Sequence, residues 1–170
     1  MYPAALPLPE SSTELLSPSR CQALLQLAQS LDRGAVFSRL QGRNIALLCL
    51  QPDEAALASL EEAASSLGAR LARLDAQGWL EDSADSPALL RMLERLYDAV
   101  DCEGLPAERA QALQRQCALP VLVNLSQTQQ AVKALAPQLR ALRSPEAHPA
   151  SLAEEEVLLV QALLVSSLGA

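Results

Sequence analysis

Four thiols and one imidazole are the side chains of this 170-residue chain best suited to nucleophilic or metal chemistry: Cys21, Cys49, Cys102, Cys117 and His148. No two of the cysteines form a CxxC pair, and His148 stands alone in a turn between Ala147 and Pro149. A zinc site needs clustered ligands, and this spacing supplies none, so the sequence names no metal, no cofactor and no catalytic residue. Cys49 and Cys102 fall inside apolar runs, where a free thiol behaves as a small buried hydrophobe. Unpaired cysteines of this kind suit a reducing, cytoplasmic setting. The remaining groups with chemical potential are acids and amides that follow apolar runs: Gln51, Asp53 and Glu54 after one, Glu103 after another, and residues 127–130 after a third. Asp53 reads as a helix N-cap. The same set, Gln51, Asp53, Glu54 and Gln130, could instead line a pocket for a neutral or cationic ligand. Glu154, Glu155 and Glu156 read as a helix-opening charge run, where acids meet the positive end of the helix dipole.

The elements that would position these groups follow from hydrophobic period. Residues 1–17 form an irregular, proline-rich lead-in. Ser17 and Pro18 then suit a cap and first helical turn, and Leu24, Leu25, Leu27, Ala28 and Leu31 supply an apolar face up to a stop at Gly34. Residues 45–50 are continuously apolar, as in a strand buried on both faces of a parallel sheet. A helix from Asp53 to about Leu67 ends at Gly68, and residues 71–74 make a second strand. Residues 75–86 are polar and irregular. A helix opens at Pro87, a third strand covers 97–102, a helix runs from Pro106 to about Cys117, a fourth strand covers 121–125, and a helix spans about 128–142. Alternation of this kind predicts an α/β fold: a single three-layer domain with a central parallel sheet of about four strands flanked by helices. Residues 143–150 form a short linker. Ser151 caps a final helix over 151–170 whose apolar residues cover most of its circumference, which calls for burial on all sides.

Composition removes several classes of function. The chain is 50% hydrophobic but only 2% aromatic, so its core is built from Leu, Ala and Val. The net charge is -7, and Lys133 is the single lysine. An acidic chain without a basic track or stacking aromatics is a poor nucleic-acid binder, and it is repelled by anionic membranes. The most apolar segment, 157–168, is interrupted by Gln161, Ser166 and Ser167 and falls short of the roughly 20 residues a membrane span needs.

The order of features resembles the carbamoyl-phosphate-binding half of the aspartate and ornithine carbamoyltransferases. Leu40-Gln41-Gly42-Arg43-Asn44 leads into the first strand as the family's leucine-x-glycine-basic entry does. Pro52 stands where the family has a proline before its Ser-Thr-Arg-Thr-Arg phosphate loop. Ser59-Leu60-Glu61 matches a Ser-Phe-Glu, and Ala63-Ala64, Leu67-Gly68 and Leu74-Asp75 keep their places. Tyr97-Asp98-Ala99-Val100 and Leu119-Pro120-Val121-Leu122-Val123-Asn124 resemble two further strands. The match runs from about Gln22 to Leu135, and Ala153 to Gly169 resembles the family's last helix, which returns from a second, amino-acid-binding domain. Here residues 143–150 stand in place of that domain, an arrangement expected from an internal deletion that kept the returning helix.

The resemblance also implies what has been lost. The family's phosphate-loop positions fall on Asp53, Glu54, Ala55, Ala56 and Leu57, so both arginines and all hydroxyls are gone and two carboxylates have arrived. Each lost arginine contact would be worth about 1.5–3 kcal/mol. Repulsion of a nearby like charge adds roughly 1–4 kcal/mol at about 4 Å. Together these remove micromolar affinity for a phosphate. A second family arginine falls near Glu103, and the His-Pro-x-Gln that contacts the carbamoyl group falls on residues 127–130, with Gln130 retained. Trp79, Glu81 and Asp82 lie where the family has a loop reaching a neighbouring subunit; Trp79 either meets a partner chain, as tryptophans at interfaces do, or covers a local apolar edge. The resemblance implies a homo-oligomer, a trimer as in the family, and a full-length carbamoyltransferase as a candidate partner. The expectation is a catalytically inactive carbamoyltransferase-like domain with an assembly or regulatory role. The alternatives are a ligand-binding module with an altered pocket, or a residual transferase active only with a partner chain.

Overall fold

The computed structural model describes residues 17–35, 39–77, 87–143 and 151–169. Four strands, β1 (Asn44–Cys49), β2 (Arg70–Asp75), β3 (Ala99–Glu103) and β4 (Val121–Val123), form one sheet in the order β2-β1-β3-β4. Every pairing is parallel, with Cys49 opposite Asp75 on one side and Glu103 on the other. Seven α-helices flank it among the described residues: α1 (Pro18–Ser30), α2 (Glu54–Ser66), α3 (Pro87–Leu96), α4 (Ala107–Gln116), α5 (Leu125–Lys133), α6 (Ala136–Leu142) and α7 (Leu152–Leu168). The expected three-layer α/β architecture is present.

Period-2 alternation sorts β1 between two cores. Ile45, Leu47 and Cys49 face the layer of α1, α2, α5, α6 and α7. Ala46 and Leu48 face α3 and α4, meeting Leu93, Ala110 and Leu113. This two-sided burial is why residues 45–50 are continuously apolar in sequence.

The final helix behaves as its composition requires. Leu159 through Val165 are all buried, packed among α1, α2, α5 and α6. Fully burying each leucine is worth about 1.5–3 kcal/mol, so α7 is a principal part of the core. Ser151 caps it reciprocally with Glu154: the Glu154 N–H donates to Ser151 Oγ at 3.2 Å and the Ser151 N–H donates to Glu154 Oε2 at 2.7 Å. Glu155 does more than open the helix. It is 1% exposed and takes both Arg140 N–H groups, Nε at 2.9 Å and Nη2 at 2.8 Å, which ties α7 to α6.

Three boundaries depart from the sequence reading, each for a local reason. The third strand begins at Ala99 rather than Tyr97, because the Asp98 side chain leaves the strand to accept from the Asn44 N–H at 2.8 Å and Arg43 Nη1 at 2.9 Å. These bonds, the Asn44 one first, hold the Asp98 carboxyl below the usual range. The fourth strand stops at Val123, because Asn124 adopts the left-handed conformation, φ 53°, and turns the chain straight into α5 at Leu125. The expected 128–142 helix is two helices: Pro137 would clash with the carbonyl of Lys133, so α5 ends there and α6 starts afresh. Trp79, Glu81, Asp82 and His148 lie outside the described residues.

Removing Arg140 strands a buried carboxylate, so Arg140→Ala should lower the unfolding free energy by about 1–3 kcal/mol in urea titration. In a Glu155→Gln background the same change should cost clearly less. Equal costs in both backgrounds would show that the two residues are uncoupled.

Candidate functional site

In an open parallel sheet, ligands bind outside the carboxyl ends of the strands where the strand order reverses. With order β2-β1-β3-β4, chain direction across the sheet reverses between β1 and β3. The crevice is therefore bounded by residues following Cys49 and Glu103, and by the N-termini of α2 and α5. Gly104 turns the chain at the β3 exit with φ 72°, a left-handed conformation that favours glycine. The Gly104 N–H donates to Asn124 Oδ1 at 2.9 Å, which joins the β3 and β4 exits.

Helix N-termini carry free N–H groups that ordinarily attract anions. Here both are filled by the protein's own carboxylates. At α2, Asp53 Oδ1 accepts from the Ala56 N–H at 3.1 Å. Glu54 is exposed and holds Arg73 Nη1, while Arg73 Nε reaches Glu61 at 2.6 Å, so the cation beside this helix is already engaged. At α5, Glu103 Oε1 accepts from the Ser126 N–H at 2.7 Å and Oε2 accepts from the Ser126 hydroxyl. Asp101 Oδ1 accepts from the Leu125 N–H at 3.4 Å.

The sequence-derived candidates scatter. Gln51 and Gln130 are exposed, Ala55 is exposed, and Ala56 and Leu57 belong to the core. Glu103 is buried at the crevice floor. Three further buried polar residues, which the sequence reading passed over, lie on β3 and α5: Asp101 (0% exposed), Ser126 (6%) and Gln129 (0%). The inward amide of α5 is thus Gln129, not Gln130, and its Nε2 donates to the Ala56 carbonyl in the first turn of α2. The signal was present in the spacing. Asp101 and Glu103 are two apart in a strand and must share a face, and Ser126 and Gln129 are three apart on a helix.

The electrostatics of the crevice are negative. Burial, and after it the hydrogen bond and charge of Glu103, push the Asp101 carboxyl well above the usual carboxylate range. Burial followed by the charges of Glu103 and Asp101 raises the Cys49 thiol to about 11. Burial, then Asp101 and Glu103, raises Cys102 to about 12. These thiols are inert packing groups at neutral pH. Among the described residues, no group of three or more histidines, cysteines or acids is arranged to hold a metal. A groove of about 510 Å³ lies elsewhere, between α1 and α6, its lining mixing Cys21, Leu25, Leu135 and Leu142 with four glutamines.

No protein-family model matches the chain. Solved structures do. An ornithine carbamoyltransferase from Thermus thermophilus aligns at 28% identity and a TM-score of 0.55, over 74% of this chain and 45% of that one. The chain has a carbamoyltransferase-like fold. An N-acetyl-L-ornithine transcarbamylase aligns at 20% identity, TM-score 0.55, over 74% of this chain and 46% of its own. A Leishmania major protein assigned as an aspartate carbamoyltransferase aligns at 19% identity, TM-score 0.56, over 76% and 42%. The carbamoyltransferase-like chain spans less than half the length of each of these proteins. Among its described residues, no helix is long and apolar enough to cross a membrane.

Two measurements follow from this geometry. Asp53→Ala should cost about 0.5–2 kcal/mol of stability, the usual value of an N-cap, and should leave the fold unchanged by circular dichroism. With a thiol reagent at pH 8, half-buried Cys21 should react first in the native protein. Cys49 and Cys102 should become labelled only in denaturant; rapid native labelling of either would contradict their burial and raised thiol values.

Proposed function

We propose that this chain is a catalytically inactive carbamoyltransferase-like domain with an assembly or regulatory role. The observation that carries the reading is the filling of both helix N-termini at the strand-order reversal by internal carboxylates. Carbamoyl transfer is largely positioning plus electrostatic stabilisation of a developing oxyanion. A crevice floored by Asp101 and Glu103, with Arg73 held by Glu54 and Glu61, opposes both tasks. Asp53 through Leu57 are read as a former phosphate loop turned into an ordinary cap.

The same reading places the family's His-Pro-x-Gln at residues 126–129, one position earlier than the sequence alignment. Ser126 and Gln129 keep the three-residue spacing of that motif's histidine and glutamine, and both point inward. Glu103, at the position of a family arginine, then bonds to Ser126, at the position of the histidine. An arginine–histidine anion site has become a glutamate–serine pair that satisfies itself. In the domain scheme, residues 18–142 are the carbamoyl-phosphate-binding-like unit, 143–150 the shortened linker, and 151–170 the returning helix. A cytoplasmic homotrimer and association with a full-length carbamoyltransferase of amino-acid metabolism belong to this proposal by resemblance.

The test is thermal unfolding of the purified chain with and without millimolar carbamoyl phosphate, alongside carbamoyl transfer to ornithine and to aspartate. No shift and no transfer are expected. A ligand at about 100 times its dissociation constant adds roughly 2.7 kcal/mol, or several degrees for a domain of this size. A saturable rise of that size would overturn the loss of the phosphate site. Sedimentation of the chain alone, and mixed with a carbamoyltransferase, reads the assembly role; a monomer that ignores the enzyme would count against it.

A further inference from the structure

Asp101 Oδ2 is buried and, among the described residues, has no hydrogen-bond partner. Two residues along the same face of β3 stands the Glu103 carboxyl, also buried, and both carboxyls accept from the first residues of α5. Two ionised carboxylates buried on one strand face repel each other with little screening, and a proton on one of them removes that repulsion and gives the unpartnered oxygen a donor. The other oxygens of the pair already have partners at the start of α5, namely the Leu125 N–H, the Ser126 N–H and the Ser126 hydroxyl.

We propose that Asp101 and Glu103 hold one proton between them, and that this shared proton latches the start of α5 onto the carboxyl end of β3. Losing it would leave two like charges in a dry site, where their repulsion is least screened. The least costly relief is for the first turn of α5 to lift and admit water, which opens the crevice between β1 and β3. The latch stands whether or not that crevice takes a ligand.

The neighbours leave the pair to govern itself. β3 packs against β1, β4 and α5. β1 brings Cys49, whose thiol is raised to about 11 and stays neutral across the working range. β3 itself brings Cys102, raised to about 12. Residues 121–123 of β4 carry no titratable group. In α5 the charged residue is Lys133, at the far end, with its Nζ on Ser59 Oγ at 2.9 Å. Beyond Cys49 lie Arg73 and Glu54, paired with each other. Among the described residues, no adjacent cation is placed to replace the proton.

The sign of the pH dependence follows. A carboxyl raised in the folded state binds its proton more tightly there than in the unfolded chain. Its contribution is full below the ordinary aspartate value of about 3.8 and is lost as pH rises through the folded value. Asp101→Asn mimics the protonated form, since its amide can donate to Glu103 and its carbonyl can accept from Leu125.

The experiment is a carboxyl-carbon NMR titration of the wild-type chain, with amide exchange of Leu125 and Ser126 measured relative to Ala56 at each pH. The ratio to Ala56 cancels the intrinsic pH dependence of exchange. One proton should persist on the pair at neutral pH, and the ratio should rise severalfold as it leaves. In Asp101→Asn the ratio should stay flat; if that variant does not fold, Glu103→Gln serves the same purpose. Two carboxyls both ionised from pH 5 upward would overturn the proposal, as would an exchange ratio that does not follow the titration.

Discussion

A helix that is apolar on every side has no stable place at a surface, and one whole layer of this protein is arranged around that constraint. α7 lies among α1, α2, α5 and α6, and its residues from Leu159 to Val165 are buried. The helices around it are short and weakly amphipathic in sequence. They acquire a common direction by having α7 to pack on. The polar ties at its start, Ser151 with Glu154 and Arg140 with Glu155, fix its axial position. Gln161 Nε2, donating to Ser66 Oγ at 2.7 Å, ties its middle to α2.

That packing sets the geometry of the crevice. α2 and α5 both lean on α7, so their N-termini converge above the ends of β1 and β3. Convergent helix N-termini create a positive field, and a positive field in a partly dry site has to be answered. An anionic ligand is one answer. This chain uses side chains instead: Asp53 at α2, Glu103 and Asp101 at α5. An internal carboxylate gives a helix start much the same hydrogen bonds as a bound anion, without the entropy of capturing a ligand. These carboxylates add to burial in raising the thiols of Cys49 and Cys102.

The fold and the groups at its crevice rest on different interactions. The sheet order, the crossovers and the seat of α7 depend on apolar burial, which tolerates a carboxylate at a strand end provided it finds donors. Ser126 supplies two of them. A carbamoyltransferase-like fold does not by itself dictate the charge of the groups at its switch point.

By itself, the sequence determined what depends on period and local chemistry. Apolar runs of 4–6 residues alternating with helical spacing specify a parallel α/β sandwich, because a strand covered on both faces can hold no polar residue without a partner. Ser17, Asp53 and Ser151 are legible as caps from residue type and position alone. The tertiary structure decided what depends on residues far apart in the chain. Asp98 leaving its strand for Asn44, Glu155 buried on Arg140, and Gln129 rather than Gln130 turned inward all depend on which distant element lies opposite. Asp101 is the sharpest case: an acid within an apolar strand reads locally as an exception, and only the arrival of α5, 24 residues later, supplies the N–H that makes its burial tolerable.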